Sequence, residues 1–405
     1  MSHPSLNELL KQADQCVKCG LCLSDCPTYQ LYRNESDSPR GRITLAQTLL
    51  QQEIVIDKTT VLKHFDRCLG CGRCESVCPS LVGYQGLIDE TRYRFSLSSV
   101  PKWQLAFFTK PGLLKFGIKV SGFLPDGIKA FLPGIFREAS RIPLQQNRDN
   151  ATDTLTDTFN DNGKLPNPGS VALFTGCVGK VIDAQAINKT RGLLEKLGYR
   201  VVIPEQQSCC GAMHQHEGYI DDAEVFLETN RQVFQAFSGP EFKAVLYFAS
   251  GCGAQLQQSA HMGIQIEDAT EFLAKLPAIQ QLSEAISSKK VAFHIPCTQL
   301  NKTRSTETVK AIVQSIAKSN FEELADNQTC CGSGGLHQLK QPESAEQFLK
   351  PKLIALHSSD ARVLLTSNTG CAMHFRQAIN NAELNIRVMH PAEWISDQYF
   401  ASLAG

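Results

Sequence analysis

Cys16-Val17-Lys18-Cys19-Gly20-Leu21-Cys22-Leu23-Ser24-Asp25-Cys26-Pro27 decides how this chain is read. The spacing is C-x2-C-x2-C-x3-C-P, and it returns as Cys68, Cys71, Cys74, Cys78 and Pro79. Three thiolates two residues apart wrap one face of a cubane iron–sulfur cluster. The fourth, held off by three residues and turned away by proline, reaches a different cluster. The two runs therefore predict two [4Fe-4S] clusters: cluster I on Cys16, Cys19, Cys22 and Cys78, cluster II on Cys68, Cys71, Cys74 and Cys26. Structural zinc usually takes two C-x2-C knuckles well apart, and disulfides need an oxidising compartment. Neither reading suits this spacing.

Composition bounds the rest. The chain has 405 residues, 42% hydrophobic and 20% charged, enough for two or three domains with a real core. Lys plus Arg and Asp plus Glu both number 40, and a zero net charge argues against nucleic acid as a main partner. All 16 cysteines fall in patterned clusters. Met1 to Gln15 is short and polar and lacks the apolar core of a signal peptide. No apolar run approaches the roughly 18 residues of a bilayer span. The expectation is a cytoplasmic protein, free or peripheral on the inner face of the cell membrane.

Outward from the first run, Leu6, Leu9, Leu10 and Ala13 form one helical face. Between the runs, Ser38-Pro39-Arg40-Gly41-Arg42 reads as a turn, and Ile43 to Leu50 as a helix. This insertion predicts a helical ferredoxin domain rather than a minimal one. Arg40 and Arg42 are placed either beside a cluster or on a solvated turn. After Pro79 the chain reads as helix to about Ser96. From Pro101 to Phe136, Trp103, Phe107, Phe116 and other apolar residues alternate with lysines, as in a packed connector or a docking face. Gln145 to Pro168 is a polar linker.

From Gly169 onward the chain reads twice. Cys177, Cys209-Cys210-Gly211 and Cys252 return as Cys297, Cys330-Cys331-Gly332 and Cys371. The offsets are 297 − 177 = 120, 331 − 210 = 121 and 371 − 252 = 119. Glu267 to Phe272 likewise matches Met389 to Trp394. Each copy alternates strand-like and helix-like runs, which predicts an α/β domain with a mainly parallel sheet and cysteines just past the strand ends. Pro351 is expected to kink or split its helix. Gly211 permits the bend that lets adjacent thiols point one way. Each copy offers four thiols: Cys177, Cys209, Cys210 and Cys252, then Cys297, Cys330, Cys331 and Cys371. They could hold a metal cluster, a redox thiol pair or a structural metal. His214, His294, His337 and His374 read as hydrogen-bonding or core residues.

Taken together, these stretches resemble the iron–sulfur subunits of flavin-linked 2-hydroxyacid dehydrogenases, the glycolate oxidase type among them. The resemblance rests on Cys26-Pro27-Thr28-Tyr29, Pro39-Arg40-Gly41-Arg42-Ile43, Cys209-Cys210-Gly211-Ala212, Ser250-Gly251-Cys252-Gly253 and Cys330-Cys331-Gly332-Ser333. It covers nearly the whole chain. A more distant relative, the heterodisulfide reductase subunit with noncubane clusters, ends each repeat in C-x2-C. Here Ala249 and Asn368 stand three residues before the last cysteine, and Gln255 and His374 three after, so one thiol per repeat is missing.

The resemblance implies an α-helical two-[4Fe-4S] ferredoxin domain (1–98), a helical connector and polar linker (99–168), and an α/β domain of two CCG repeats (169–288 and 289–405). It implies that FAD sits only in a partner dehydrogenase subunit, which oxidises glycolate or a similar acid. Reduced flavin would pass electrons singly to this chain, and these would go on to a quinone-level or membrane acceptor. Further iron–sulfur or another metal at the repeats is part of that expectation. The chain itself carries no G-x-G-x-x-G loop and no P-loop, so substrate oxidation is assigned elsewhere.

Overall fold

The structure is a computed structural model that describes residues 3–52, 57–123, 168–237, 239–258, 263–282 and 289–404. Around the cysteine runs the chain is helical: α1 (Leu6–Asp14), α2 (Pro27–Tyr32), α3 (Pro39–Gln51), α4 (Lys58–Asp66), α5 (Arg73–Ser76) and α6 (Tyr84–Phe95). A capping box of Ser5 and Glu8 starts α1. Leu9, Ala13, Ala46, Leu50, Leu87 and Ile88 make a small core that fixes α1, α3 and α6 around the thiols. The turn expected at Ser38–Arg42 is instead the start of α3. Ser38 is its N-cap, with Oγ accepting from the Gly41 N–H at 2.9 Å, and Pro39 is its first residue. Proline there gives up an N–H that no helical carbonyl would have received.

Two connector helices follow, α7 (Lys102–Thr109) and α8 (Pro111–Phe123). Leu105 and Phe108 pack on Leu336, and Leu114 on Val181, Ile182 and Met373, so these helices are a strap across both repeats. Trp103 and Phe116 stay exposed. The rest of the apolar stretch, 124–136, and nearly all of the polar linker lie outside the described residues. Among the described residues no helix is long and apolar enough to cross a membrane.

The duplication folds as two parallel four-stranded sheets of the same order. The first comprises β1 (Ser170–Phe174), β2 (Arg200–Val202), β3 (Phe242–Tyr247) and β4 (Ile266–Asp268), in the order β2-β1-β3-β4. The second comprises β5 (Val291–Phe293), β6 (Phe321–Glu323), β7 (Val363–Leu365) and β8 (Arg387–Met389), in the order β6-β5-β7-β8. Val171 pairs with Val201 and Ala244; Val291 pairs with Phe321 and Val363.

The helices of the first repeat include α9 (Ala184–Lys196), α10 (Ala212–His216), α11 (Ile220–Gln235), α12 (Ser250–Gln257) and α13 (Ala269–Ala274). Those of the second include α14 (Thr306–Ala317), α15 (Pro342–Ser358), α16 (Thr369–Asn381) and α17 (Pro391–Ala404). Packing is reciprocal: α9 lies on α17, and α13 on α14. One apolar core therefore draws on both sheets, from Leu173 and Leu246 to Phe293 and Leu365. Pro351 does not split α15, which runs unbroken with Leu349, Lys352 and Leu356 buried on its inner side. Tertiary packing outweighs the one hydrogen bond that proline removes.

Candidate metal centres

Two voids open among the N-terminal thiols. Cys16, Cys19, Cys22, Cys74 and Cys78 line one. Cys26, Cys68, Cys71 and Cys74 line the other. The fourth cysteine of each run thus turns to the void of the opposite run, and Cys74 touches both. Among the described lining residues none is a carboxylate, and the cations are Lys18 and Arg40 on the first void and Arg42 and Arg73 on the second. A soft sulfur set lined by cations suits an anionic iron–sulfur cluster better than a hard metal ion.

Arg42 is not on a solvated turn; only 1% of it is exposed. Its Nε donates to the His64 carbonyl at 2.7 Å and a terminal nitrogen donates to Thr28 Oγ1 at 3.1 Å. Buried Asp37 sits beside it and also holds Arg67 at 2.7 Å and His64 at 2.9 Å. Tyr84 O–H and the Gly70 N–H both point to the Cys68 sulfur at 3.5 Å. Such donors stabilise negative charge on sulfur. Burial pushes the Cys22 thiol up to about 11 and raises Cys71 and Cys74 further, so these sulfurs resist ionising without a metal.

In the first repeat Cys177 follows β1, and Cys252 lies in the first turn of α12. Cys209 and Cys210 lie on the loop before α10. Cys177 Sγ is 3.2 Å from Cys209 Sγ, and Cys210 Sγ is 3.3 Å from Cys252 Sγ. In the second repeat Cys297–Cys330 is 3.8 Å and Cys331–Cys371 is 3.0 Å. All eight are free thiols. Gly211 and Gly332 both take φ of +85°, and each N–H reaches back to the first sulfur of its pair at 3.4 Å. A Cβ at either would press on the helix beneath, at Ala223 or Ala345. The hydrogen bond from Cys177 raises that thiol and lowers Cys209, so Cys209 is the sulfur readiest to ionise.

Sequence reasoning missed three things here. Gln207 bridges the Thr175 N–H (2.7 Å) and the Leu173 carbonyl (3.2 Å), and Asn327 does the same at Ile295 (3.0 Å) and Phe293 (2.8 Å). Their offset, 327 − 207 = 120, equals that of Cys177 and Cys297, which was the available signal. Asn230 clamps the first CCG loop through the Ser208 N–H and the Cys209 carbonyl, both at 2.8 Å. The third is His294. A ring nitrogen lies with Cys331 Sγ and Cys371 Sγ inside a 4.8 Å triangle. Nδ1 meets Thr366 Oγ1 at 2.9 Å, whereas Nε2 is buried without a partner. Burial holds the ring neutral, as a ligand must be. Phe174 occupies the matching position of the first repeat, so the two centres differ. Two of the other histidines fit the hydrogen-bonding role: His374 Nδ1 meets the Cys331 carbonyl at 2.9 Å, and His337 Nε2 meets Ser344 Oγ at 2.8 Å. His214 is a core residue, buried against the Phe226 and Tyr219 rings.

The N-terminal unit seats its second cysteine loop on the second repeat. Asn301 donates to the Cys71 carbonyl at 2.9 Å, Lys302 pairs with Glu75, and Arg73 donates to the Gln328 carbonyl. Lys340 crosses the same seam to Asp66 (2.8 Å) and Glu217 (2.6 Å).

Known families divide the chain along the same lines. Residues 12–82 match the 4Fe-4S dicluster domain, and residues 171–257 and 291–376 each match the cysteine-rich domain CCG. The chain is a dicluster–CCG iron–sulfur protein. This dicluster–CCG protein is similar to the glycolate oxidase iron-sulfur subunit of Escherichia coli, at 29% identity over 90% of this chain and 89% of the relative. It is also similar to the probable glycolate oxidase iron-sulfur subunit of Bacillus subtilis, at 28% over 96% and 95%. Lactate utilization protein A of Bacillus velezensis is 24% identical over 56% of this chain and 99% of its own length.

Proposed function

We propose that this chain is the electron-transfer subunit of a flavin-linked 2-hydroxyacid dehydrogenase of the glycolate type. A partner subunit carries FAD and oxidises the acid. This chain takes the electrons and delivers them to a quinone-level acceptor. The observation that carries this reading is whole-length similarity to glycolate oxidase iron–sulfur subunits, joined to thiol sets that pass from exposed Cys19 to buried Cys330, Cys331 and Cys371. Cys16, Cys19, Cys22 and Cys78 would hold one [4Fe-4S] cluster; Cys68, Cys71, Cys74 and Cys26 would hold the other. Each cluster, when bound, supplies a one-electron couple. Exposed Cys19, with Val17 and Leu21 beside it, makes the first set the contact face for the flavin subunit. The loop of the second set lies against the second repeat. There Cys297, Cys330, Cys331 and Cys371, with His294, would hold a further centre. Cys177, Cys209, Cys210 and Cys252 would hold its counterpart in the first repeat.

The chain copurified with its flavin partner should reduce an artificial acceptor with glycolate as donor. Cys71→Ser should remove one cluster signal from the low-temperature EPR spectrum and stop electron flow past the flavin. Normal turnover in that variant would sink the reading. A lactate-class acid is the second reading, favoured by the lactate utilization relatives. Assaying glycolate, lactate and glycerol-3-phosphate side by side separates the donors.

A further inference from the structure

Where the N-terminal unit meets both repeats, the fold leaves a cavity of about 540 Å³. Cys297, Cys330, Cys331 and Cys371 of the second repeat line part of it, whereas none of the first repeat's thiols does. Another part is a run of amides on α6, α10, α12 and the C-cap of α12: Gln85, Gln215, Gln255 and Gln258, with His216 among them.

These side chains form one network rooted on Asp89, a carboxylate with 1% of its side chain exposed. Asp89 accepts from Gln85 Nε2 at 2.8 Å and from Gln215 Nε2 at 3.4 Å, and meets His216 Nδ1 at 3.1 Å. Gln255 Nε2 donates to Gln215 Oε1 at 2.5 Å, and Gln258 Nε2 to Gln255 Oε1 at 3.4 Å. None of these bonds positions a thiol.

The chemistry of the lining selects a ligand class. A carboxylic acid would need an uncommitted cation. Among the described lining residues Lys302 is held by Glu75, and His216 by Asp89. Amides present donors and acceptors without charge, which suits a neutral molecule bearing carbonyl oxygens. The volume lies in the range of small-molecule sites. One redox-capable thiol set borders the space, and one histidine held on a buried carboxylate lines it.

Building on the electron-transfer reading above, we propose that this cavity binds the ring of a quinone-class acceptor and that the acceptor is reduced there. The ring takes two electrons, delivered one at a time through this chain from the flavin subunit, and two protons. Both C=O groups become C–O–H as the ring turns aromatic. One proton comes from the Nε2 of protonated His216, whose Nδ1–H stays on Asp89. The other comes from water at the cavity mouth, which also recharges His216.

The test uses the cluster-loaded full chain with its flavin partner, and menadione as probe. Isothermal titration of the loaded chain should show one menadione site. Gln255→Leu should weaken it at least tenfold. Gly86→Leu should do the same, because Gly86 lines the cavity on α6 and a Cβ there meets nothing within 4 Å, so the fold tolerates the larger side chain. At saturating menadione, His216→Gln should lose at least tenfold more menadione reduction than ferricyanide reduction, which consumes no proton. No menadione binding, or binding that neither Gly86→Leu nor Gln255→Leu weakens, overturns the site. Equal loss of both reductions in His216→Gln overturns the proton donor. A parent complex that binds menadione but leaves ferricyanide unreduced overturns the electron-transfer reading, and the reduction step with it.

Discussion

Arg42 shows what a single position adds to a motif. The cysteine spacing was legible at sight because thiolate geometry leaves few ways to place four sulfurs about a small cage. The arginine was ambiguous, since Pro39-Arg40-Gly41-Arg42 looks like a turn until Ser38 is seen to cap a helix. Once α3 begins at Pro39, Arg42 is carried inward against Thr28 and His64. A buried cation beside the second thiol set favours the reduced, more negative state of whatever that set holds. Arg42→Gln should therefore shift the corresponding EPR-monitored midpoint negative by tens of millivolts while leaving the other midpoint in place. An unmoved pair of midpoints would deny the arginine that role. His294 was illegible for a different reason: spacing reports neither that a nitrogen is orphaned nor which thiols close on it.

At the scale of elements, the tail of each repeat repays comparison. Asp268 caps α13 by accepting from the Thr270 N–H at 2.8 Å, and His390 caps the matching helix by accepting from the Ala392 N–H at 3.1 Å. The alignment of these tails was visible in sequence; their shared capping role was not, because Asp and His seldom stand in for one another. Burial raises the Asp268 carboxyl from 3.8 to about 7. The folded chain thus keeps a proton that the unfolded chain releases near 3.8, and this contribution to stability is full below that value and lost as pH climbs toward about 7. Asp268→Asn keeps an oxygen for the cap and removes the titration. Urea unfolding should show the variant gaining on the parent between about pH 4 and pH 7, by at most about 4 kcal/mol. Parallel pH profiles would exclude this account. The strand order itself was foreseeable only as "parallel", since alternation of strand and helix does not say which strand lies in the middle.

Across the whole molecule, the seam between the thiol-rich unit and the repeats is polar. Lys340 is its hub, joining Asp66 of α4 to Glu217 of the first repeat. Contacts between positions 274 and 123 residues apart leave no trace in local sequence pattern, which is why the seam was unforeseen. Lys340→Met should cost about 3 kcal/mol, because two buried carboxylates lose their common cation. Denaturant unfolding would read this, and a loss too small to measure would make the hub incidental. The shared core has a further reach. Each half of the duplicated domain presents to the other a greasy face, with Leu173 and Leu246 on one side and Phe293 and Leu365 on the other. Severed between Leu282 and Lys289, either fragment made alone should clump, whereas the two made in one cell should find each other and be recovered as an equimolar pair. Such a face, on a half that stood alone, would call for a second identical copy to cover it. Joined in one chain, the two mates are free to differ, with a phenyl ring at position 174 where the other has an imidazole at 294.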